Sequence, residues 1–241
     1  MTAIIIRDYG VGAAAEQKHA NRLIVVIDGP AGVGKSTAAK SLASRLGYLY
    51  LDTGALYRAT AWAVIESGLD PADAVAVAAL LPSLSLQMPL HQGTAMVLVN
   101  GRDVTGELRT PAVSSAASVV SAIPAVRAWL LPIQRQIGAG GAVVAEGRDM
   151  GTKVFPGADV KFFLEADPNV RAQRRHRELV TAGHSGALED TSAEMVTRDA
   201  RDRSRAVAPL VPAEDARHID TSNLSASEVV DQMMAVIAAK L

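Results

Sequence analysis

Short apolar runs alternate with stretches of helical periodicity in the first part of the chain. Residues 23–27 form an unbroken and mostly β-branched run, which is typical of a strand that is buried on both faces. Apolar residues then recur from Ala38 to Leu46 with the spacing of one helix face, and Gly47 ends that pattern. A second strand is predicted from Tyr48 to Leu51. The order strand, helix, strand indicates a βαβ unit and therefore a parallel sheet.

Three further apolar runs extend this prediction to five strands. They lie at Ala142–Ala145, Val160–Leu164 and Arg217–Asp220. The last run leads into a predicted helix over residues 225–240, where Ser225 and Glu228 have the spacing of a capping box. Five strands with intervening helices predict an α/β core with a five-stranded parallel sheet flanked by helices.

The stretch from residue 80 to residue 140 has a different pattern. Short strand-like segments occur at residues 84–88 and 96–99, and Asn100-Gly101 is a strong signal for a tight hairpin. Segments rich in serine and alanine, which predict helices, follow the hairpin. We therefore expect an antiparallel sheet with helices, inserted between core strands two and three, above the sheet edge where ligands bind.

Composition narrows the class of protein. The chain has 241 residues, of which 49% are hydrophobic and 20% charged, and its net charge is −1. That charge gives no global attraction to nucleic acid or to an anionic membrane. The absence of cysteine excludes disulfides and thiolate metal sites.

The sequence predicts neither a targeting segment nor a membrane-spanning segment. Residues 1–21 have no regular periodicity, and their only apolar run, residues 4–6, is followed at once by Arg7. We interpret them as a disordered leader. The longest stretch without charged residues, 74–101, is interrupted by Pro82 and Pro89, so it does not predict a membrane span. A cytoplasmic protein without membrane partners is expected.

The segment between the first strand and the first helix matches the phosphate-binding pattern G-x-x-x-x-G-K-[ST] in full. Glycines allow backbone N–H groups to surround phosphate oxygens, and the start of the following helix adds its dipole. Lys35 supplies a mobile positive charge, and the Ser36 hydroxyl can hold Mg²⁺. The predicted ATP-binding residues of this P-loop are Gly29, Pro30, Ala31, Gly32, Val33, Gly34, Lys35, Ser36 and Thr37.

A P-loop by itself does not distinguish a kinase from a GTP-binding switch. Residues 103–106 match the D-x-x-G pattern of GTPases, but they lie in the predicted hairpin insertion and not at the end of a core strand. No Asn-Lys-x-Asp segment, which would read guanine, occurs in the chain. A kinase is therefore favoured, with the switch as an alternative.

Three polar segments are candidates for the acceptor site of such a kinase. Residues 52–58 follow the second strand, residues 146–149 end the third, and an arginine-rich segment covers residues 198–205. Eight arginines within residues 171–205 could also indicate nucleic-acid binding or a salt-bridged helix face. Six acids and no aromatic residue in that window argue against nucleic acid. We expect these arginines to neutralise transferring phosphates.

Taken together, these segments resemble bacterial cytidylate kinases from about Leu23 to the C-terminus. The resemblance is carried by residues 28–36, 51–58, 103–110, 146–152 and 198–210. It implies a P-loop kinase core (residues 22–79, 141–170 and 191–241), an inserted CMP-binding domain at 80–140 and a short lid at 171–190. It also implies that the γ-phosphate of ATP is transferred to CMP or dCMP, with Mg²⁺ as cofactor.

The resemblance also assigns individual residues. It places at CMP the residues Thr53, Tyr57, Arg58, Ser118, Arg127, Arg148, Asp149, Arg198, Asp202 and Arg205. Asp149, Arg198 and Asp202 would address the cytosine or the sugar, whereas Arg58, Arg127, Arg148 and Arg205 would serve mainly phosphates.

The remaining assignments concern catalysis, ATP and the metal. We expect Lys35, Arg148, Arg201 and Arg205 to be catalytic and Arg174 to contact ATP. Mg²⁺ would be held by Ser36, and by Glu146 through a water molecule. A P-loop kinase for another small acceptor stays open as an alternative, and a monomer is expected.

Overall fold

The computed structural model describes residues 22–91 and 94–241. The interpretation of residues 1–21 as a disordered leader lies outside the described residues. In the described part the chain divides into two compact units. One unit contains residues 53–133, and the other contains residues 22–52 and 134–241.

The secondary structure of the described residues comprises ten strands and eight α-helices. The strands are β1 (Ile24–Asp28), β2 (Leu49–Asp52), β3 (Leu86–Gln87), β4 (Leu90–His91), β5 (Thr94–Ala95), β6 (Leu98–Val99), β7 (Arg102–Asp103), β8 (Val143–Gly147), β9 (Val160–Glu165) and β10 (Arg217–Asp220). The α-helices are α1 (Lys35–Leu46), α2 (Thr53–Glu66), α3 (Ala74–Leu80), α4 (Pro111–Val120), α5 (Pro124–Gly138), α6 (Pro168–Thr181), α7 (Leu188–Ser204) and α8 (Ala226–Ala238).

The larger unit is built on a five-stranded parallel sheet with the strand order β10-β9-β1-β8-β2. Its five strands are those predicted from the apolar runs, so the predicted parallel α/β core is confirmed. Val25, in the central strand β1, pairs with Val144 on one side and Val160 on the other. These side chains are buried because helices cover both faces of such a sheet.

Local sequence signals fix the ends of the helices that pack on this sheet. Gly47 ends α1 in the left-handed conformation, and its N–H group donates to the carbonyl oxygens of Ala43 and Ser44. The predicted capping box at the start of α8 is formed by Ser225 and Glu228. The apolar face of α8, which includes Met233, is buried in the same core as β1.

The smaller unit contains the predicted antiparallel sheet and its helices. β3, β6 and β7 form a three-stranded antiparallel sheet. Asn100 and Gly101 both have positive φ angles between β6 and β7, which confirms the predicted tight hairpin. A second ribbon, made of β4 and β5, is absent from the sequence prediction.

The bounds of this compact unit are not the same as the predicted CMP-binding region at 80–140, which stays a prediction. Helices α2 and α3, which the sequence analysis assigns to the core region 22–79, belong to the unit of residues 53–133. The physical reason is that α2 packs along α4. The other boundary falls at residue 133, within α5, and not at residue 140.

The described residues contain eight α-helices. No single helix among them is both long and apolar enough to cross a membrane, although α4 and α5 taken together, with a bend of 100° between them, pass by length and composition.

Candidate active site

The P-loop connects β1 to α1, as the sequence predicts. Gly29, Gly32 and Gly34 have φ angles of 148°, 75° and 90°, which favour glycine. A Cβ atom on Gly29 would lie 2.3 Å from the carbonyl oxygen of Leu164. A Cβ atom on Gly32 would lie 2.9 Å from the carbonyl oxygen of Arg171. Gly29 and Gly32 are therefore required both by conformation and by close packing, and Gly34 by conformation alone.

Lys35, the first residue of α1, is buried at the base of this loop. Its Nζ atom donates a hydrogen bond of 2.5 Å to the carbonyl oxygen of Pro30. Burial lowers the pKa of Lys35 well below its ordinary value, and the positive charges of Arg148 and Arg198 lower it further. The Glu146 carboxylate opposes this shift. A lysine in this environment gains from a phosphate anion that would replace its missing solvation.

A second group of polar side chains surrounds Ser36, the residue after Lys35. The Tyr50 hydroxyl donates a hydrogen bond to Glu146 Oε1. The Ser36 hydroxyl is hydrogen-bonded to both of these side chains. The structure thus brings together Ser36 and Glu146, the two residues predicted to hold Mg²⁺.

The electrostatics of this group suit a cation. Burial raises the pKa of Glu146, and the nearby negative charge of Asp52 raises it further, while Lys35 lowers it. Burial also raises the pKa of Tyr50, so its hydroxyl remains a donor. A hydroxyl and a carboxylate beside a second carboxylate are the oxygen ligands that Mg²⁺ prefers.

Tyr50 is a site residue that the sequence analysis does not identify. It lies in β2, where the sequence pattern indicates only a buried strand. The available signal is its position two residues before Asp52, whose partner in the sheet register is Glu146. That register puts the end of β2 beside the polar end of β8.

The arginine-rich segment meets the end of β8 around Asp202. Arg148 Nε donates a 3.0 Å hydrogen bond to Asp202 Oδ2, and Arg205 Nη1 lies 3.7 Å from Asp202 Oδ1. Burial alone would raise the pKa of Asp202, but Arg148, Arg205 and Arg198 outweigh it, and the pKa is lowered. The carboxylate therefore stays ionised among cations.

Asp149, the neighbour of Arg148, is also buried. It precedes a single π-helical turn over Met150–Val154, which the sequence analysis leaves without regular structure. Asp28, at the end of β1, accepts hydrogen bonds from the N–H groups of Met150 and Gly151 at 2.9 and 2.8 Å. The end of β8 is thereby tied to the start of the P-loop.

Arg174 and Arg201 take different positions from this cluster. Arg174, in α6, donates to the Thr221 hydroxyl at 3.0 Å and to the Thr221 carbonyl oxygen at 2.7 Å. Arg201 lies half-buried in the last turn of α7, next to Asp202. The expected contact between Arg174 and ATP stays a prediction, and so does the catalytic role of Arg201.

Five of the predicted CMP residues lie in the smaller unit. Thr53, Tyr57 and Arg58 are in the first turns of α2, where Thr53 is buried. Arg127, at the start of α5, lies over the Tyr57 ring, with its guanidinium carbon 5.4 Å from the ring centre. Its Nη1 atom donates to the carbonyl oxygen of Ser121 at 3.2 Å. The Ser121 hydroxyl in turn donates to the carbonyl oxygen of Ser118 in α4.

Comparison with known proteins gives a consistent relationship over most of the chain. The family model described as Cytidylate kinase matches residues 25–239. A cytidylate kinase of Pasteurella multocida (strain Pm70) is 45% identical over 217 residues, which cover 90% of this chain and 96% of that protein. A bifunctional pantoate ligase/cytidylate kinase of Synechococcus sp. (strain WH7803) is 50% identical over 215 residues. This match covers 87% of the chain but only 43% of that longer protein.

A solved structure shares the fold at low sequence identity. The crystal structure of an uncharacterised protein from Eubacterium ventriosum ATCC 27560 has a TM-score of 0.52 and 13% identity. The match covers 91% of this chain and 99% of that one. The match over residues 25–239, together with a relative that is 45% identical and covered almost completely, shows that this chain belongs to the cytidylate kinase family.

Proposed function

We propose that this chain transfers the γ-phosphate of ATP to CMP or dCMP, which gives ADP and CDP or dCDP. The observation that carries the proposal is an ionised aspartate, Asp202, held among Arg148, Arg198 and Arg205 in the unit that contains the P-loop. Its membership of the cytidylate kinase family supports the same conclusion. This combination suits a substrate that carries both a phosphate and an amine-bearing base.

The donor half of the reaction is assigned to the P-loop. Its backbone N–H groups would bind the β- and γ-phosphates of ATP, and Lys35 would leave the Pro30 carbonyl oxygen to contact them. Ser36 would hold Mg²⁺ directly and Glu146 through a water molecule. The metal supplies positive charge to the phosphates, which lowers the cost of charge developing during transfer.

The acceptor half is assigned to the arginines and aspartates. The phosphate of CMP is already an anionic nucleophile, so the reaction needs no general base, and Arg148, Arg201 and Arg205 would neutralise charge. Asp202 can accept a hydrogen bond from the exocyclic amine of cytosine. Uracil lacks that amine, and a buried acceptor left without a donor penalises UMP.

The predicted CMP-binding region at 80–140 and the lid at 171–190 are part of this proposal. In the structure, the lid range contains most of α6 and the start of α7. Arg171 and Arg174 are hydrogen-bonded to Ala31 and Thr221, so we expect the moving part to begin after Arg174. Closure of such a lid would exclude water from the transferring phosphoryl group.

The deciding experiment is an ADP-release assay with ATP and Mg²⁺ against CMP, dCMP, UMP, AMP and shikimate. We expect CMP and dCMP to be turned over and the others to be much poorer acceptors. Equal or better activity with any acceptor other than a cytidine nucleotide would refute the specificity. GTP binding without phosphate transfer would instead support the switch alternative.

A substitution separates the acceptor role of Asp202 from its structural role. Asp202→Asn keeps the shape of the side chain but offers an amide where cytosine presents an amine. We expect a KM for CMP raised about 5- to 150-fold, with the ATP affinity little changed, because about 1–3 kcal/mol of base discrimination rests on such a contact. An unchanged KM for CMP in a folded variant would remove Asp202 from the acceptor site.

The cellular setting is a further part of the proposal. We propose that the protein acts as a monomer in the cytoplasm, without a nucleic-acid or membrane partner. Size-exclusion chromatography with light scattering at the concentrations used for activity tests the monomer, and a dimer mass would contradict it.

A further inference from the structure

The carbonyl oxygens of the P-loop are held by side chains from three separate parts of the chain. Lys35 Nζ binds the Pro30 oxygen, and Arg171 Nη1 binds the Ala31 oxygen at 3.1 Å. The Thr221 hydroxyl donates to the Val33 oxygen at 3.0 Å. Of the four carbonyl groups of Pro30, Ala31, Gly32 and Val33, three therefore accept a hydrogen bond from a side chain, and two of these donors, Arg171 and Thr221, lie outside the loop.

A hydrogen bond that fixes a carbonyl oxygen of the loop also fixes the direction of the N–H group in the same peptide. The C=O and the following N–H of one trans peptide point in opposite directions. A donor that holds the Ala31 carbonyl therefore directs the Gly32 N–H group to the other side of the loop. Backbone N–H groups are what a P-loop offers to phosphate oxygens. The position of Arg171 thus bears directly on the donor site.

Arg171 is itself held by an ion pair inside the protein. Its Nη1 atom lies 2.6 Å from Asp199 Oδ2, which joins α6 to α7. The side chains of Arg171 and Asp199 are only 9% and 5% exposed. Gly32 packs on the same region, because an added Cβ would lie 2.9 Å from both the Arg171 carbonyl oxygen and the Met195 Cε.

The hydrogen bonding of the Arg171–Asp199 pair is incomplete, so a contribution to stability alone does not explain it. Neither Arg171 Nε nor Asp199 Oδ1 has a hydrogen-bond partner among the described residues. The cost of removing two charges from water is repaid only when their remaining polar atoms are satisfied. A pair of apolar side chains would serve packing as well, but it could not donate to the Ala31 carbonyl.

We propose that Arg171 and Asp199 are positioning residues for the phosphate donor, an inference that rests on ATP binding at the P-loop. Asp199 fixes the guanidinium of Arg171, and Arg171 holds the Ala31–Gly32 peptide with its N–H group toward the phosphates. Asp199 precedes Asp202 by one helical turn in α7. The helix that carries the proposed acceptor aspartate therefore also supports the donor loop.

The test uses the paired substitution Arg171→Met with Asp199→Leu and each substitution alone. Each single variant leaves one buried charge without its partner and is expected to unfold at a lower denaturant concentration. The double variant removes both charges, so its unfolding midpoint should return toward that of the wild type. Its Kd for ATP, measured by calorimetry without CMP, should rise about tenfold, since one loop peptide is no longer oriented.

A purely structural pair predicts a different outcome. A double variant with a wild-type midpoint and a wild-type Kd for ATP would overturn the proposal. If the double variant does not fold, the milder Asp199→Asn decides. This variant keeps an acceptor for Arg171, but a neutral amide oxygen binds the guanidinium more weakly than a carboxylate does. We expect a severalfold higher Kd for ATP with an unchanged KM for CMP. An unchanged Kd for ATP in this variant would overturn the proposal equally.

A matched control comes from another ion pair in the same unit. Lys161 Nζ lies 2.9 Å from Asp215 Oδ1 and also donates to the Pro156 carbonyl oxygen, and it makes no hydrogen bond to the P-loop among the described residues. Lys161→Met with Asp215→Leu should leave the Kd for ATP unchanged. Failure of the wild-type protein to bind ATP would refute the proposed function itself, which distinguishes that outcome from a failure of the positioning role.

Discussion

Asp28 offers a sharp test of how the end of β1 is built. Only 3% of this residue is exposed, and its two carboxylate oxygens accept hydrogen bonds from the N–H groups of Met150 and Gly151. Burial raises its pKa from 3.8 to about 6, and the charge of Asp149 adds to this. The two backbone hydrogen bonds and the charge of Lys35 act in the opposite direction. Burial is thus the dominant effect.

The shift has a definite sign in a measurement of stability against pH. Because the folded protein binds the Asp28 proton more tightly than the unfolded chain does, protonation stabilises the folded state. That contribution is fully present below pH 3.8 and is lost as the pH rises through about 6. A change from 3.8 to about 6 corresponds to about 3 kcal/mol in the free energy of unfolding.

The assay is urea denaturation of the wild type and of Asp28→Asn at several pH values between 4 and 7.5. Asparagine does not titrate, so the difference between the two proteins isolates the carboxyl group at position 28. We expect the wild type to lose about 2.5 kcal/mol relative to the variant across this range, since part of the full effect lies below pH 4. The altered hydrogen bonds of the variant add a pH-independent difference in unfolding free energy, which does not affect how that difference changes with pH.

An opposite slope is expected for a control aspartate. A hydrogen bond from Lys161 lowers the pKa of Asp215, so this group stabilises the folded protein above pH 3.8 and loses that effect as the pH falls. Because this change falls below pH 4, the wild type and Asp215→Asn should stay parallel between pH 4 and 7.5, and the wild type should lose stability relative to the variant only at lower pH. A pH-independent difference for Asp28→Asn, or one with the sign of Asp215→Asn, would refute the reasoning about burial.

Three further substitutions test the loop and its surroundings. Lys35→Met should lower kcat in the ADP-release assay about 10²- to 10³-fold, as loss of one preorganised charge does, without lowering the melting temperature. A smaller effect would contradict the proposed catalytic role of Lys35. Gly29→Ala should destabilise the protein by at least about 2 kcal/mol in urea, because its Cβ meets the Leu164 carbonyl, whereas Gly157→Ala, where no atom lies within 4 Å, should be neutral or slightly stabilising. Tyr50→Phe removes a half-buried hydrogen bond to Glu146 and should cost about 1 kcal/mol of unfolding free energy and raise the Mg²⁺ concentration for half-maximal activity. An unchanged Mg²⁺ dependence would exclude a role of Tyr50 at the proposed metal site.

The parts of the fold that the sequence predicted are those that local signals determine. The five core strands follow from continuous apolar runs, because a parallel strand covered on both faces has no polar side. The hairpin after β6 follows from Asn100-Gly101, since its turn requires two positive φ angles. The P-loop follows from glycines whose conformations other residues rarely adopt.

The parts that were not predicted depend on contacts between distant residues. The π-helical turn at Met150–Val154 is held by Asp28, which lies 122 positions before Met150. The ribbon of β4 and β5 is too short to carry an alternating pattern. The boundary of the smaller unit depends on packing between α2 and α4, which an apolar helix pattern does not specify.

In the candidate site, too, the local motif could be predicted, whereas the distant residues that hold the motif in place could not. The pattern G-x-x-x-x-G-K-[ST] predicts where the loop turns, but its spacing says nothing about which groups hold its carbonyl oxygens. Two of those donors, Arg171 and Thr221, lie 140 and 188 positions from their partners in the loop. One of them depends in turn on Asp199, in the helix that also carries Asp202. A phosphate loop in this fold is therefore as rigid as its supporting helices, so ATP affinity should respond to substitutions in α7 that never touch the nucleotide.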